Sequence, residues 1–224
     1  YNKMVSRNQL EQTFPFQNVY TGVERTRKRA VHEDIMVRLQ NLDLVHSTPL
    51  AFSRDLFIFS YCTRGMSFVD IAYLKKEDIS GGMLSYVRHK TGQRLNIRIE
   101  PCIAEIIKRY EPSVRNSPYL FPIITSYDSE EAFRQYQTAL GYHNRKLKKL
   151  GNLVGENLHL SSYTARHSWA TVARNHNVPL PIISAGMGHT SEKTTGIYLD
   201  SIENSLIDKA NEDILEALCR DVSK

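Results

Sequence analysis

The final third of the sequence contains three short motifs in a fixed order: YTARHSWAT at 163–171, GHT at 188–190 and TTGIY at 194–198. They bring an arginine, a histidine and a tyrosine into a stretch whose apolar residues recur at helical spacing. The pattern predicts four short helices there, over Ser162–Asn175, Leu180–Gly186, Glu192–Tyr198 and Glu203–Cys219. The polar residues of the motifs therefore lie on, or directly beside, short helices.

The rest of the chain predicts further helices around one small antiparallel sheet. Residues 83–87 and 95–99 alternate with period two on either side of the turn residues 90–93, which is typical of a β-hairpin. The other predicted helices are His32–Leu42, Leu50–Cys62, Phe68–Leu74 behind a Ser67 N-cap, Pro101–Tyr110 and Ser129–Leu150. The predicted fold class is mainly α with a small antiparallel β-sheet (α+β).

Composition places the chain among ordinary globular domains. Of its 224 residues, 41% are hydrophobic and 24% are charged, which excludes disordered, collagen-like and coiled-coil proteins. Its longest apolar runs, such as residues 56–59, fall far short of the roughly 20 residues that cross a bilayer. Three widely spaced cysteines form no CxxC pair and no metal-ligand pattern, so we expect a reducing compartment and no cofactor.

Basic residues outnumber acidic ones by 29 to 24, which gives a formal charge of +5, and they gather in two clusters. The first cluster comprises Arg25, Arg27, Lys28 and Arg29. The second comprises Arg145, Lys146, Lys148 and Lys149. Each cluster is either a solvated helix face or a track for phosphate groups.

The motifs and their spacing resemble the tyrosine site-specific recombinases, the phage integrase family. In that family an Arg-His box and a Gly-His box precede a nucleophilic tyrosine nine residues after the second histidine, as Tyr198 follows His189. Residues 70–78 look like the family's acidic first box, and residues 88–92 (RHKTG) look like its hairpin lysine. The resemblance spans about residues 50–216, and the stretch at 61–70 is similar to integrases and inverting recombinases of Bacteroidetes-type mobile elements.

The resemblance implies an enzyme that cuts and rejoins DNA for the integration, excision or inversion of a mobile element. Tyr198 would be the nucleophile of a 3′-phosphotyrosyl intermediate, and Lys90 would protonate the leaving 5′-oxygen. Arg166 and His189 would hold the scissile phosphate, because a guanidinium group matches phosphate oxygens bidentately. No metal or ATP is implied, since the phosphotyrosyl bond conserves the phosphoester energy. Two alternatives stay open: relaxation by a type IB topoisomerase, and a catalytically inactive DNA-binding or regulatory protein of the same fold.

Two positions depart from the family pattern. Tyr163 stands where the family usually has a histidine; a phenol can donate a hydrogen bond to phosphate but titrates too high for acid or base catalysis near neutral pH. Ser67 stands three residues before Asp70, where the family has its first arginine. Either Arg64 or Arg88 then supplies that guanidinium, and the spacing favours Arg64 because residues three apart on a helix share a face.

The family organisation divides the chain into an arm or linker at residues 1–45 and a catalytic domain at residues 46–224. A core-binding domain would precede residue 1 and is expected to be absent from this chain. The expected partner is double-stranded DNA, with a monomer off DNA and a tetramer on DNA joined through the terminal helix at residues 203–219. A further candidate partner is an accessory DNA-bending protein. The expected location is the bacterial cytoplasm, associated with the nucleoid and without membrane contact.

Overall fold

The computed structural model of the chain describes residues 29–155, 158–189 and 191–198. Within these ranges the helices are α1 (Glu33–Gln40), α2 (Thr48–Cys62), α3 (Phe68–Tyr73), α4 (Pro101–Tyr110), α5 (Ser129–Val154), α6 (Thr164–Asn175), α7 (Leu180–Gly186) and α8 (Glu192–Tyr198). The strands β1 (Ile79–Ser80), β2 (Met83–Val87) and β3 (Arg94–Arg98) form one antiparallel sheet in that order. The predicted fold class is confirmed.

The main core packs around α2. Leu56, Phe57 and Phe59 expose at most 2% of their surface, and the helix is apolar on nearly all sides over these residues, as a buried helix must be. Helix α1 adds Met36 and Leu39 to the same core. The part of the predicted arm that the structure describes, from residue 29 to residue 45, therefore packs on the domain. Residues 1–28 of that arm lie outside the described residues.

The sheet presents a turn toward the final third of the chain. Four strand residues face the core, as their alternation predicts: Leu84, Tyr86, Leu95 and Ile97. Beyond the paired strands, the backbone N–H of Arg88 donates to the Gln93 carbonyl oxygen over 2.8 Å. The predicted hairpin is confirmed, and its turn occupies residues 88–93.

Helices α6 and α8 carry the first and third motifs, and Gly188 and His189 of the second motif follow α7. A second buried cluster of Ala170, Ile183 and Met187 packs α6 against α7. The predicted bounds of α4, α7 and α8 agree with the structure, whereas α5 ends at Val154 instead of Leu150, because both residues are buried and continue its apolar face. No helix among the described residues is long and apolar enough to span a membrane. The predicted helix at 203–219 lies outside the described residues.

Candidate active site

Arg166 lies on the first turn of α6 and exposes only 3% of its surface. Its Nη1 donates to the Gly65 carbonyl oxygen over 2.7 Å, and its Nη2 donates to the Met187 carbonyl oxygen over 2.6 Å. Nη2 also lies 2.8 Å from Nε2 of His189. These contacts tie the guanidinium group to the turn after α2 and to the residues after α7, so the main chain fixes its position.

The turn after α2 allows this close approach. The Gly65 N–H donates to the Ser60 carbonyl oxygen and the Arg64 N–H to that of Tyr61, which is the Schellman pattern. Gly65 has φ of +74°, and a Cβ there would lie 2.7 Å from Cα of Arg166. Only glycine fits this position without displacing the arginine.

His189 follows α7 and is 8% exposed. Burial, reinforced by the positive charges of Arg166, Arg88 and Lys90, lowers its pKa to about 3. The imidazole is therefore neutral at physiological pH. Its Nδ1 lies 2.7 Å from Oγ1 of Thr195 in α8, so the histidine connects the arginine of α6 with the helix that carries the tyrosine motif.

The hairpin brings a second guanidinium group to His189. Arg88 is 5% exposed, and its Nη1 donates to the Gly188 carbonyl oxygen over 2.6 Å. Its Nε is buried without a hydrogen-bond partner among the described residues. Gly188 has φ of +63°, a backbone conformation that favours glycine, and a Cβ there would lie 2.8 Å from Leu95 Cδ1 where α7 meets the hairpin.

A buried carboxylate fixes the turn of the hairpin. Asp70 is 3% exposed; its Oδ1 accepts the backbone N–H of His89 over 2.8 Å, and its Oδ2 accepts the hydroxyl of Ser67. His89 lies between Arg88 and Lys90 in the turn. The acidic residue of the first box thus holds the backbone of the segment that supplies both cations, while the Lys90 side chain itself is exposed.

Arg64 lies two residues beyond α2 with φ of +62°, before α3 begins. The helical spacing that favoured it over Arg88 therefore does not apply, because the chain is not helical at that point. A Cβ at Gly186 would lie 3.7 Å from Arg64 Cδ, which places the arginine stem against α7. Its charge still acts on this region. Burial raises the pKa of Tyr86, and the charge of Arg64, like those of Arg166 and Arg88, lowers it.

The two positions that depart from the family pattern line one cavity of about 120 Å³. Ser67 and Tyr163 face it together with Arg166, and Phe68 and Tyr136 contribute aromatic walls. Tyr163 directly precedes α6 and is 48% exposed. A serine and a tyrosine therefore line this side of Arg166 at the two positions where the family carries an arginine and a histidine.

Tyr198 is the last residue of α8, and its side chain lies outside the described residues. Thr195, three residues earlier on the same helix, is fully buried against His189. Less than one helical turn of backbone therefore separates the tyrosine from a residue that touches the histidine. Sequence reasoning missed Thr195, although its place inside the TTGIY motif was the available signal.

The second basic cluster lies on α5. Its exposed members are Arg145, Lys148 and Lys149, and its half-buried member is Lys146. In the first cluster Arg29 is exposed, and the residues outside the described part of the chain are Arg25, Arg27 and Lys28. DNA binding by either cluster stays a prediction.

Comparison with known proteins agrees with this arrangement. Residues 32–204 match the Phage integrase family, and the chain belongs to that family. Tyrosine recombinase XerA of Pyrococcus furiosus is 27% identical over 198 residues, which cover 84% of this chain and 66% of the relative. The chain thus spans just under two thirds of that relative's length.

Solved structures share the fold. The crystal structure of XerA recombinase matches with a TM-score of 0.60 and 17% identity, over 84% of this chain and 66% of that one. A lambda integrase dimer bound to a COC′ core site matches with a TM-score of 0.58 and 17% identity, over 83% and 66%. The Tn1549 transposon integrase in complex with transposon right end DNA matches with a TM-score of 0.57 and 12% identity, over 90% and 70%. The integrase catalytic fold implied by the motifs is confirmed.

Proposed function

We propose that this chain breaks and rejoins DNA through a covalent bond between Tyr198 and a 3′-phosphate. The observation that carries the proposal is the burial of two guanidinium groups, Arg166 and Arg88, beside the neutral ring of His189. Burying two cations close together costs free energy. A phosphodiester offsets this cost, because it brings a negative charge and two non-bridging oxygens that accept hydrogen bonds.

In the proposed reaction the phenolic oxygen of Tyr198 attacks phosphorus, and the bond from phosphorus to the 5′-oxygen breaks. Lys90 on the exposed turn donates a proton to that departing oxygen. Rejoining reverses these steps, with the 5′-hydroxyl as the attacking group and tyrosine as the leaving group. The number of phosphoester bonds is unchanged, so no nucleotide cofactor is consumed.

His189 is proposed to orient the phosphate and not to act as the base. A ring whose pKa is about 3 is too weak a base to accept the Tyr198 proton at neutral pH. That proton is released to water instead. Tyr163, half-exposed beside the cavity, donates a hydrogen bond to a phosphate oxygen in place of the family's histidine.

We assign the role of the family's first arginine to Arg88. Three features support this assignment over Arg64: its burial, its anchor on the carbonyl of Gly188, and a buried Nε without a hydrogen-bond partner among the described residues. An unused donor in a site of low dielectric is suited to stabilise charge that develops in a transition state.

The test is to trap the covalent intermediate. Nicked duplexes tiled across the DNA that flanks the gene lose a short oligonucleotide after cleavage, which prevents rejoining and leaves a protein–DNA adduct stable to detergent. The unaltered chain forms this adduct with at least one duplex, and Tyr198→Phe forms none. Arg88→Ala lowers the rate of adduct formation by about 100-fold, whereas Arg64→Ala changes it by less than about threefold.

Each expected result has a specific outcome that would contradict it. An adduct that persists in Tyr198→Phe, or none with any duplex, contradicts the proposed chemistry. A 100-fold loss confined to Arg64→Ala returns the first arginine role to that residue. Exchange of ends between two marked duplexes identifies a recombinase, while relaxation of supercoils without exchange identifies a topoisomerase.

We further propose that four copies assemble on DNA through residues 203–219. The recombination that they carry out is proposed to integrate, excise or invert a mobile element. The lambda integrase is known as a dimer on a core site and as a tetramer on a Holliday junction, which supports this extension. Removing residues 203–224 should leave adduct formation intact and abolish exchange between duplexes. Exchange at an unchanged rate after the truncation contradicts the proposed assembly.

A further inference from the structure

The hydroxyl of Thr195 contacts His189 and has no role in the proposed cleavage reaction. It lies in the middle of α8 with no exposed surface, and its Oγ1 is 2.7 Å from Nδ1 of His189. The neighbouring Thr194 is half-buried, and its hydroxyl lies 3.3 Å from that of exposed Ser191. Two adjacent threonines therefore have different surroundings, and only Thr195 meets the imidazole.

The contacts of His189 determine which nitrogen carries its proton. Nη2 of Arg166 has only hydrogens to offer, so Nε2 of the histidine, 2.8 Å away, accepts a hydrogen bond. In a neutral ring the proton then sits on Nδ1, and Nδ1–H donates to Oγ1 of Thr195. The hydroxyl of Thr195 is thus the group that satisfies this buried N–H.

We infer that Thr195 is the positioning residue of His189 and that, together with the Nη2 donor of Arg166, it sets the tautomer and the plane of the ring. The same hydroxyl joins the ring to the helix that ends at Tyr198, three residues further on. Because Oγ1 of Thr195 accepts from Nδ1–H, it stabilises the tautomer in which Nε2 accepts from Arg166. The catalytic consequence rests on the proposed function, whereas the tautomer does not.

The choice of substitution follows from shape. Thr195→Val replaces the hydroxyl by a methyl group of similar size and leaves Nδ1–H buried without its partner. Thr195→Ser keeps the hydroxyl and removes only the methyl group. Thr194→Val is the matched control, because it makes the same chemical change one residue away, against Ser191 and not against the histidine.

The experiment measures the ring ¹⁵N shifts of His189 in the full chain, together with the rate of adduct formation on the nicked duplex. We expect the Nδ1–H tautomer in three samples: the unaltered chain, the Thr195→Ser variant and the Thr194→Val variant. In Thr195→Val we expect a mixture of both tautomers and a rate about tenfold lower. Thermal unfolding of each variant separates loss of fold from loss of position.

The outcomes separate this inference from the proposed function. If Thr195→Val keeps both the tautomer and the rate of the unaltered chain, Thr195 does not position His189, whatever the chain catalyses. If the tautomer shifts only in Thr195→Val but the unaltered chain forms no adduct, the positioning role stands and the proposed cleavage fails. If Thr194→Val shifts the tautomer equally, the effect belongs to α8 as a whole and the inference is overturned.

Discussion

His143 should make the fold sensitive to mild acid. It is 5% exposed on α5, stacks on Phe68 with ring centres 4.6 Å apart, and its Nδ1 has no hydrogen-bond partner among the described residues. Burial lowers its pKa to about 3. The unfolded chain, with an ordinary imidazole pKa of about 6.5, therefore binds a proton first as the pH falls, so stability is present above that pH and is lost below it. Linkage gives a loss of about 2 kcal/mol between pH 7 and pH 5 from this residue.

The measurement is urea unfolding at pH 7 and pH 5, followed by the fluorescence of the single tryptophan, Trp169. In His143→Phe the ring stays stacked on Phe68, no proton can bind, and the drop in unfolding free energy should shrink by about 2 kcal/mol. His159→Gln, at an exposed position, controls for the loss of any imidazole and should keep the full drop. An equal drop in His143→Phe and in the unaltered chain would refute the reasoning.

Two further predictions concern the turn after α2. Gly65→Ala should destabilise the fold by about 2 kcal/mol more than Gly82→Ala, because both glycines have positive φ but only the first Cβ would overlap Arg166; equal losses in urea unfolding would show that the close approach is unimportant. Arg64→Gly should be more stable than Arg64→Ala by about 1 kcal/mol, since both remove the side chain and only glycine suits φ of +62°. The same unfolding assay checks this, and a more stable alanine variant contradicts it.

Local signals explain why most elements could be predicted from the sequence. Pro101 and Pro181 lie in the first turns of α4 and α7, where proline is favoured. The Ser67 hydroxyl caps α3, as its spacing from Asp70 predicts. The hairpin followed from the alternation of its strands and the turn residues between them. These features depend on residues close together in the chain, so the sequence is sufficient for them.

The arrangement of the arginines depends on contacts between distant segments. The bond from Arg88 to the Gly188 carbonyl spans 100 residues, and the bond from Arg166 to Gly65 spans 101. No local pattern encodes these contacts. Reasoning from helical spacing favoured Arg64 because it applied that spacing to Arg64 and Ser67, whereas the chain between α2 and α3 turns with two successive residues of positive φ. The family motif could identify the candidate residues, but only the fold determines which of them meet.

Both buried arginines are held by backbone carbonyl oxygens, which limits how far substitutions nearby can disturb them during evolution. Every amino acid has a backbone carbonyl oxygen. A substitution at residue 187 therefore leaves the acceptor for the Arg166 guanidinium group in place. Glycine at residues 65 and 188 is favoured by positive φ, and at residue 65 also by the close approach of the Arg166 backbone. The side chain at residue 187 can therefore change during evolution while the two buried guanidinium groups keep their positions.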